Sequence, residues 1–108
     1  MESLTPNELA ALRKLKAALA RDFRLVELRL FGSKARGDSD KESDIDVLVV
    51  LEDYDWEVEK AVCDLCFVIN LEFHVLLSPV LYRRSEFNSD LTHITPFYQA
   101  VAREGIVV

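Results

Sequence analysis

The residues best placed to do chemistry are Gly32-Ser33-Lys34-Ala35-Arg36-Gly37 and, a few positions on, Ser43-Asp44-Ile45-Asp46-Val47. The first group follows an apolar run, so a strand ending in Gly32 lets a ligand come close to the backbone. If a short helix starts at Ser33, its first N–H groups favour a phosphate, and the Ser33 hydroxyl adds a further bond. Lys34 and Arg36 lie in the same turn and can neutralise a triphosphate or a leaving group. Asp44 and Asp46 are two apart in the next apolar run, so on a strand both side chains take one face. Paired carboxylates on a largely buried strand repel each other and lose hydration, so they need a cation or strong hydrogen bonds. Mg²⁺ suits them, because it takes one or two carboxylates, keeps waters and completes its shell with phosphates. A phosphate cradle beside a metal site points to chemistry on a nucleoside triphosphate.

Other candidates are weaker. Asp38-x-Asp40-x-Glu42 resembles the start of a calcium loop, but the sixth and twelfth positions hold Ser43 and Val49 where glycine and glutamate are required. The segment reads as a solvated connector. Cys63 and Cys66 form C-x-x-C inside a helical pattern with no second Cys/His pair, and read as core-side thiols in a reducing compartment. His74 and His93 lack ligand spacing; the first reads as a helix-end or strand-start residue and the second as surface. Tyr54, Tyr82 and Tyr98 read as packing residues.

The elements that must position these groups follow from periodicity. Thr5-Pro6-Asn7-Glu8 opens a helix with cap, first-turn proline and capping-box glutamate, and Leu9, Leu12, Leu15 and Leu19 continue it on one face. A strand is expected from about Leu25 to Phe31, with Val26, Leu28 and Leu30 on one side and Glu27 and Arg29 on the other. A second, from about Asp44 to Leu51, has a tail, Val47-Leu48-Val49-Val50-Leu51, that is apolar on both faces, as a central strand should be. A long helix over about Asp55 to Phe73 starts from Asp53 or Asp55, with Trp56, Val62, Leu65, Cys66 and Ile69 as its apolar stripe. A third strand near Val75 to Tyr82 contains Pro79 and so belongs at an edge or a bulge. A short helix near Ser85 and a last one from Thr95-Pro96 to Gly105 complete the chain. The order is α-β-turn-β-α-β-α-α, an α+β (α/β sandwich) arrangement with a small mixed sheet flanked by helices.

The chain has 108 residues, half of them apolar, which fits one domain over 1–108 with a modest core. Its net charge of −6 argues against a nucleic-acid groove and suits a basic protein partner or a metal-bound ligand. The N-terminus is polar and no apolar run is long enough to span a bilayer, so no membrane association and a cytoplasmic location are expected.

Phe31-Gly32-Ser33-Lys34-Ala35-Arg36-Gly37 with Ser43-Asp44-Ile45-Asp46 resembles the signature of the DNA polymerase beta-like nucleotidyltransferase superfamily, and the short length resembles its minimal nucleotidyltransferase (MNT) branch. Leu76-Leu77-Ser78-Pro79-Val80 and Pro96-Phe97-Tyr98 with Val101 and Glu104-Gly105-Ile106 are similar to that branch as well, so the likeness runs from Leu25 onward. The resemblance implies the nucleotidyltransferase fold. It implies that Gly32 and Ser33 hold the triphosphate and that Asp44 and Asp46, as catalytic and metal-binding residues, hold one or two Mg²⁺. It implies transfer of a nucleoside monophosphate, AMP from ATP, to a hydroxyl acceptor. It also implies a HEPN-domain partner in a toxin–antitoxin pair, in which the MNT protein adenylylates a tyrosine of the toxin. An acceptor site built by that partner or by a second copy, hence a homo-oligomer, fits the small size. Aligned by pattern, a third acidic position of the family falls on Ser78, with Glu72 the nearest acid upstream. The alternative is therefore a catalytically weakened nucleotide-binding module that acts by contact alone.

Overall fold

The computed structural model describes residues 4–37 and 44–108. The connector Asp38-x-Asp40-x-Glu42, and Ser43 with it, lies outside the described residues. Helix α1 (Pro6–Asp22) opens as the sequence predicts: the Thr5 hydroxyl accepts from the Glu8 amide, and the Glu8 carboxylate accepts from the Thr5 amide. It leads into β1 (Leu25–Phe31), the one-turn helix α2 (Ser33–Arg36) and β2 (Ile45–Leu51). Helix α3 (Trp56–Phe73), capped by Asp55, then crosses to β3 (Leu77–Arg83). Helices α4 (Arg84–Phe87), α5 (Asp90–His93) and α6 (Pro96–Glu104) precede β4 (Ile106–Val107).

The sheet is mixed, in the order β3-β2-β1-β4. β1 is antiparallel to both β2 and β4, while β2 and β3 are parallel, as a helical crossover requires. β2 is covered on both faces from Val47 to Leu51, which is why that stretch is an unbroken apolar run. Val47, Val49 and Leu51 pack with Leu12, Leu15 and Leu19 of α1 and with Val62, Cys66 and Ile69 of α3. On the opposite face Leu48 and Val50 pack with Phe87 of α4 and Val101 of α6, joined by Phe31, Tyr82, Phe97 and Tyr98. Pro79 sits on β3, at the sheet edge, where its missing N–H costs no ladder bond.

Several expectations are corrected. A register shift between Leu25 and Glu27 breaks the alternation of β1, so Leu25 packs with Leu28 and Leu30 on the core while Val26 faces out. Trp56 is not part of the core stripe of α3: it is 73% exposed. Cys66 is buried as expected, but Cys63 is exposed, because it follows Val62 by one position, about 100° round the helix and past the edge of the buried stripe. His93 is half-buried rather than on the surface, stacked on Tyr98 with ring centroids 4.2 Å apart. Helix α5 and strand β4 carry too few residues to show a period and are absent from the sequence reading.

Candidate functional site

The site lies where β1 ends and β2 begins. Phe31 pairs with Asp46 across these antiparallel strands, which sets the Gly32–Ser33 turn beside the Asp46 carboxylate. Gly32 has φ 73° and ψ −156°, a conformation open essentially to glycine alone. A Cβ built on Gly32 would also collide with the Asp46 carboxylate. Glycine is thus required twice here, once for its backbone and once for the space its missing side chain leaves. Gly32 then serves as N-cap of α2 with no side-chain cap, its carbonyl accepting from the amides of Ala35 and Arg36 at 3.1 Å each. Ser33 stands at the first position of that helix, where N–H groups point out of the turn.

Asp46 is half-buried, and its pKa is raised. Burial is the largest cause, the neighbouring charge of Asp44 adds to it, and the Arg36 guanidinium pulls the other way. Asp44 precedes β2 and is exposed. The structure therefore brings together Gly32, Ser33, Asp44, Asp46 and Arg36. A carboxylate kept against a glycine, destabilised by burial and by a second carboxylate, is a donor set that fits a divalent cation. Among the described residues no cluster of three or more His, Cys, Asp or Glu side chains is gathered.

Lys34 is tied to α1. Its side chain is 2% exposed, and its ammonium meets the Glu8 carboxylate at 2.9 Å. Glu8 is itself buried; burial pushes its pKa up, but the Thr5 amide bond and the Lys34 ammonium outweigh that and hold it below the usual range. One carboxylate thereby closes the cap of α1 and fastens α2 to it. Arg36 is held in turn by Glu104 at the end of α6, at 3.3 Å. The sequence shows Glu8 only as a capping residue and Glu104 only as part of a segment similar to the MNT branch. Their roles as supports of the turn depend on contacts far apart in the chain.

Ser78 stands directly opposite Asp46 in the parallel β2–β3 register. Residues in register on adjacent strands share a face, so a hydroxyl occupies the place next to Asp46. Glu72 cannot take over there: it pairs with Lys14 of α1 at 2.6 Å, on the side of the sheet that α1 and α3 cover.

A nucleotidyltransferase domain matches residues 12–91 of the chain. The chain belongs to the nucleotidyltransferase domain family. Two relatives in Methanocaldococcus jannaschii bear the names "Putative protein adenylyltransferase MJ0604" and "Putative protein adenylyltransferase MJ0141". The first is 34% identical and covers 94% of this chain and 98% of its own length; the second is 36% identical over 79% and 80%. A solved structure described as a putative minimal nucleotidyltransferase superposes with TM-score 0.63 at 25% identity, covering 96% of this chain and 97% of its own. A crystal structure described as a putative nucleotidyltransferase from Sulfolobus solfataricus shares the fold, with TM-score 0.54 at 20% identity over 92% and 77% of the two chains. This nucleotidyltransferase is of the minimal type, an α+β fold with a mixed sheet between helices. As a member of the family it is an enzyme acting on a nucleotide. Among the described residues no helix is long and apolar enough to cross a membrane.

Proposed function

We propose that the chain transfers an adenylyl group from ATP to a hydroxyl acceptor on a protein, with Mg²⁺ held by Asp44 and Asp46, and that it forms the antitoxin-like half of a pair with a HEPN-domain protein. The observation that carries this reading is the Asp46 carboxylate set against Gly32, with Asp44 and Arg36 acting on its charge. The names of the two methanogen relatives support adenylyl as the group moved and a protein as the acceptor. When bound, the cation supplies positive charge to the phosphate oxygens between Asp44, Asp46 and the turn.

The chain's own residues do the rest. Gly32 lets the triphosphate reach the backbone, and the Ser33 hydroxyl donates to a phosphate oxygen. Arg36, fixed by Glu104, faces the charge that grows on the leaving pyrophosphate. The acceptor oxygen bonds to the α-phosphorus as the bond from that phosphorus to the bridging oxygen of the β-phosphate breaks. Ser78 cannot take the acceptor's proton as a carboxylate would, so the base comes with the acceptor protein. The same serine favours a second reading, a module that binds nucleotide and neutralises its partner by contact.

Label transfer from α-phosphate-labelled ATP with Mg²⁺ into a lysate of the source organism separates the two. The expected result is one discrete labelled protein, absent with the Asp44→Asn and Asp46→Asn double variant. Absence of label with every nucleoside triphosphate, together with nucleotide binding that the double variant loses, supports the contact-only module instead.

A further inference from the structure

Helix α3 buries Val62, Cys66 and Ile69 and turns a second apolar row outward. Trp56, Phe67 and Leu71 are 73%, 63% and 63% exposed. With Lys60 and the exposed Cys63 they fall at i, i+4, i+7, i+11 and i+15, a continuous ridge about 22 Å long at 1.5 Å per residue. Helices that pack on one side only have polar outer faces, so a ridge of this size calls for a covering partner. Its margins are acidic: Glu59 lies on one side, Glu57 and Asp64 on the other, and the single cation, Lys60, is paired with Asp64 at 3.0 Å. The same carboxylates reach Cys63, whose thiol is pushed up by burial and then by Glu59 and Asp64.

We propose that the outer face of α3 is the docking surface for an amphipathic helix of a partner protein, one whose apolar row is flanked by lysine and arginine. Apolar contact along Trp56, Phe67 and Leu71 supplies the affinity, and the acidic margins select the basic flanks. A second copy of this chain is a poor occupant. Each copy carries a net charge of −6, and self-pairing would bring the Glu59 and Asp64 margins of two copies together. An anionic membrane is disfavoured by the same margins. The surface rests on no part of the transfer reaction: α3 covers the face of the sheet that carries Val47 and Val49, and Asp46 has the parity of Leu48 on the other face. A helix docked there leaves the Gly32–Asp46 site open.

Trp56 is the chain's only tryptophan, so its emission reports on the ridge directly. The probe is a tryptophan-free helical peptide of about 18 residues, long enough to cover the ridge, with leucine on one face and lysine on both flanks. Titration into the whole protein should shift Trp56 emission to the blue with saturation. Phe67→Asp, at an exposed position that leaves the core intact, should weaken binding by about tenfold or more. Glu59→Lys with Asp64→Lys should reverse the preference, so that a glutamate-flanked peptide with the same leucine face binds better. Asp46→Asn should leave the peptide titration unchanged while removing nucleotide binding, which keeps the two readings separable. Equal binding of both peptides to the wild-type protein overturns the proposal. So does emission of the protein alone that is already blue-shifted and moves with protein concentration, since a second copy then covers the ridge.

Discussion

Asp46 is where binding and stability oppose each other. Its carboxylate is held against Gly32, half-buried and close to Asp44, so the ionised form is disfavoured unless a cation arrives. Because its pKa is higher in the folded chain than in the unfolded one, folding favours the protonated form. The stability that proton gives is fully present below the unfolded pKa and is lost as pH rises through the folded one. Asp46→Asn keeps the shape and removes the charge. In metal-free buffer the variant should melt a few degrees above the wild type at neutral pH, and the gap should close as pH falls below the ordinary carboxylate range. Adding Mg²⁺ with ATP should raise the melting point of the wild type only. Thermal unfolding across that pH range checks this; a variant less stable than wild type in metal-free buffer at neutral pH would show that Arg36 already satisfies the carboxylate.

The elements around the site are held by a contact that no local pattern reveals. Glu8 closes the cap of α1 with one carboxylate oxygen and takes Lys34 of α2 on the other. Breaking a buried ion pair by removing one partner leaves the other charge buried and costs about 3–5 kcal/mol, whereas replacing both with apolar side chains of similar size is near neutral. Glu8→Ala should therefore lower stability by about that much, and Glu8→Met with Lys34→Met should restore most of it. If α2 needs the charge pair for its position, rather than the packing alone, nucleotide affinity stays low in the double variant; denaturant unfolding alongside nucleotide titration reads both. Much else at this scale is legible in the residues. β1, the Thr5 and Asp55 caps and the edge position of β3 follow from period, caps and Pro79, all of them local signals. The site is legible in part, since Gly32, Ser33, Asp44 and Asp46 lie on one hairpin and hairpin pairing brings them together. Lys34, read as a phosphate contact from its place in the turn, is buried and paired with Glu8, a contact that its place in the turn does not reveal. Trp56 misled for a different reason: it precedes Val62 by six positions, so helical spacing already sets it on another face from the Val62, Cys66 and Ile69 stripe.

At the scale of the molecule, β2 joins two separate apolar clusters. Val47 and Val49 belong to the α1–α3 side, and Leu48 and Val50 to the α4–α6 side, so neither layer can open without stripping the same strand. The two cysteines can read this out. Cys63 is exposed, while Cys66 is buried against the α1–α3 cluster with its thiol pushed up to about 12, chiefly by burial. Because the thiolate is the reacting form, a native chain should take up one equivalent of a thiol reagent, at Cys63, and Cys66 should react only in opened molecules. If opening is global, weakening the far layer must speed Cys66 as much as weakening the near one. Leu48→Ala, which touches only the α4–α6 side, should cost about 2–5 kcal/mol and raise the Cys66 labelling rate by about 30-fold or more. A Leu48→Ala chain whose Cys66 reacts no faster than in the wild type would mean that the two layers open independently, with β2 staying paired to α3 while α4–α6 lifts away.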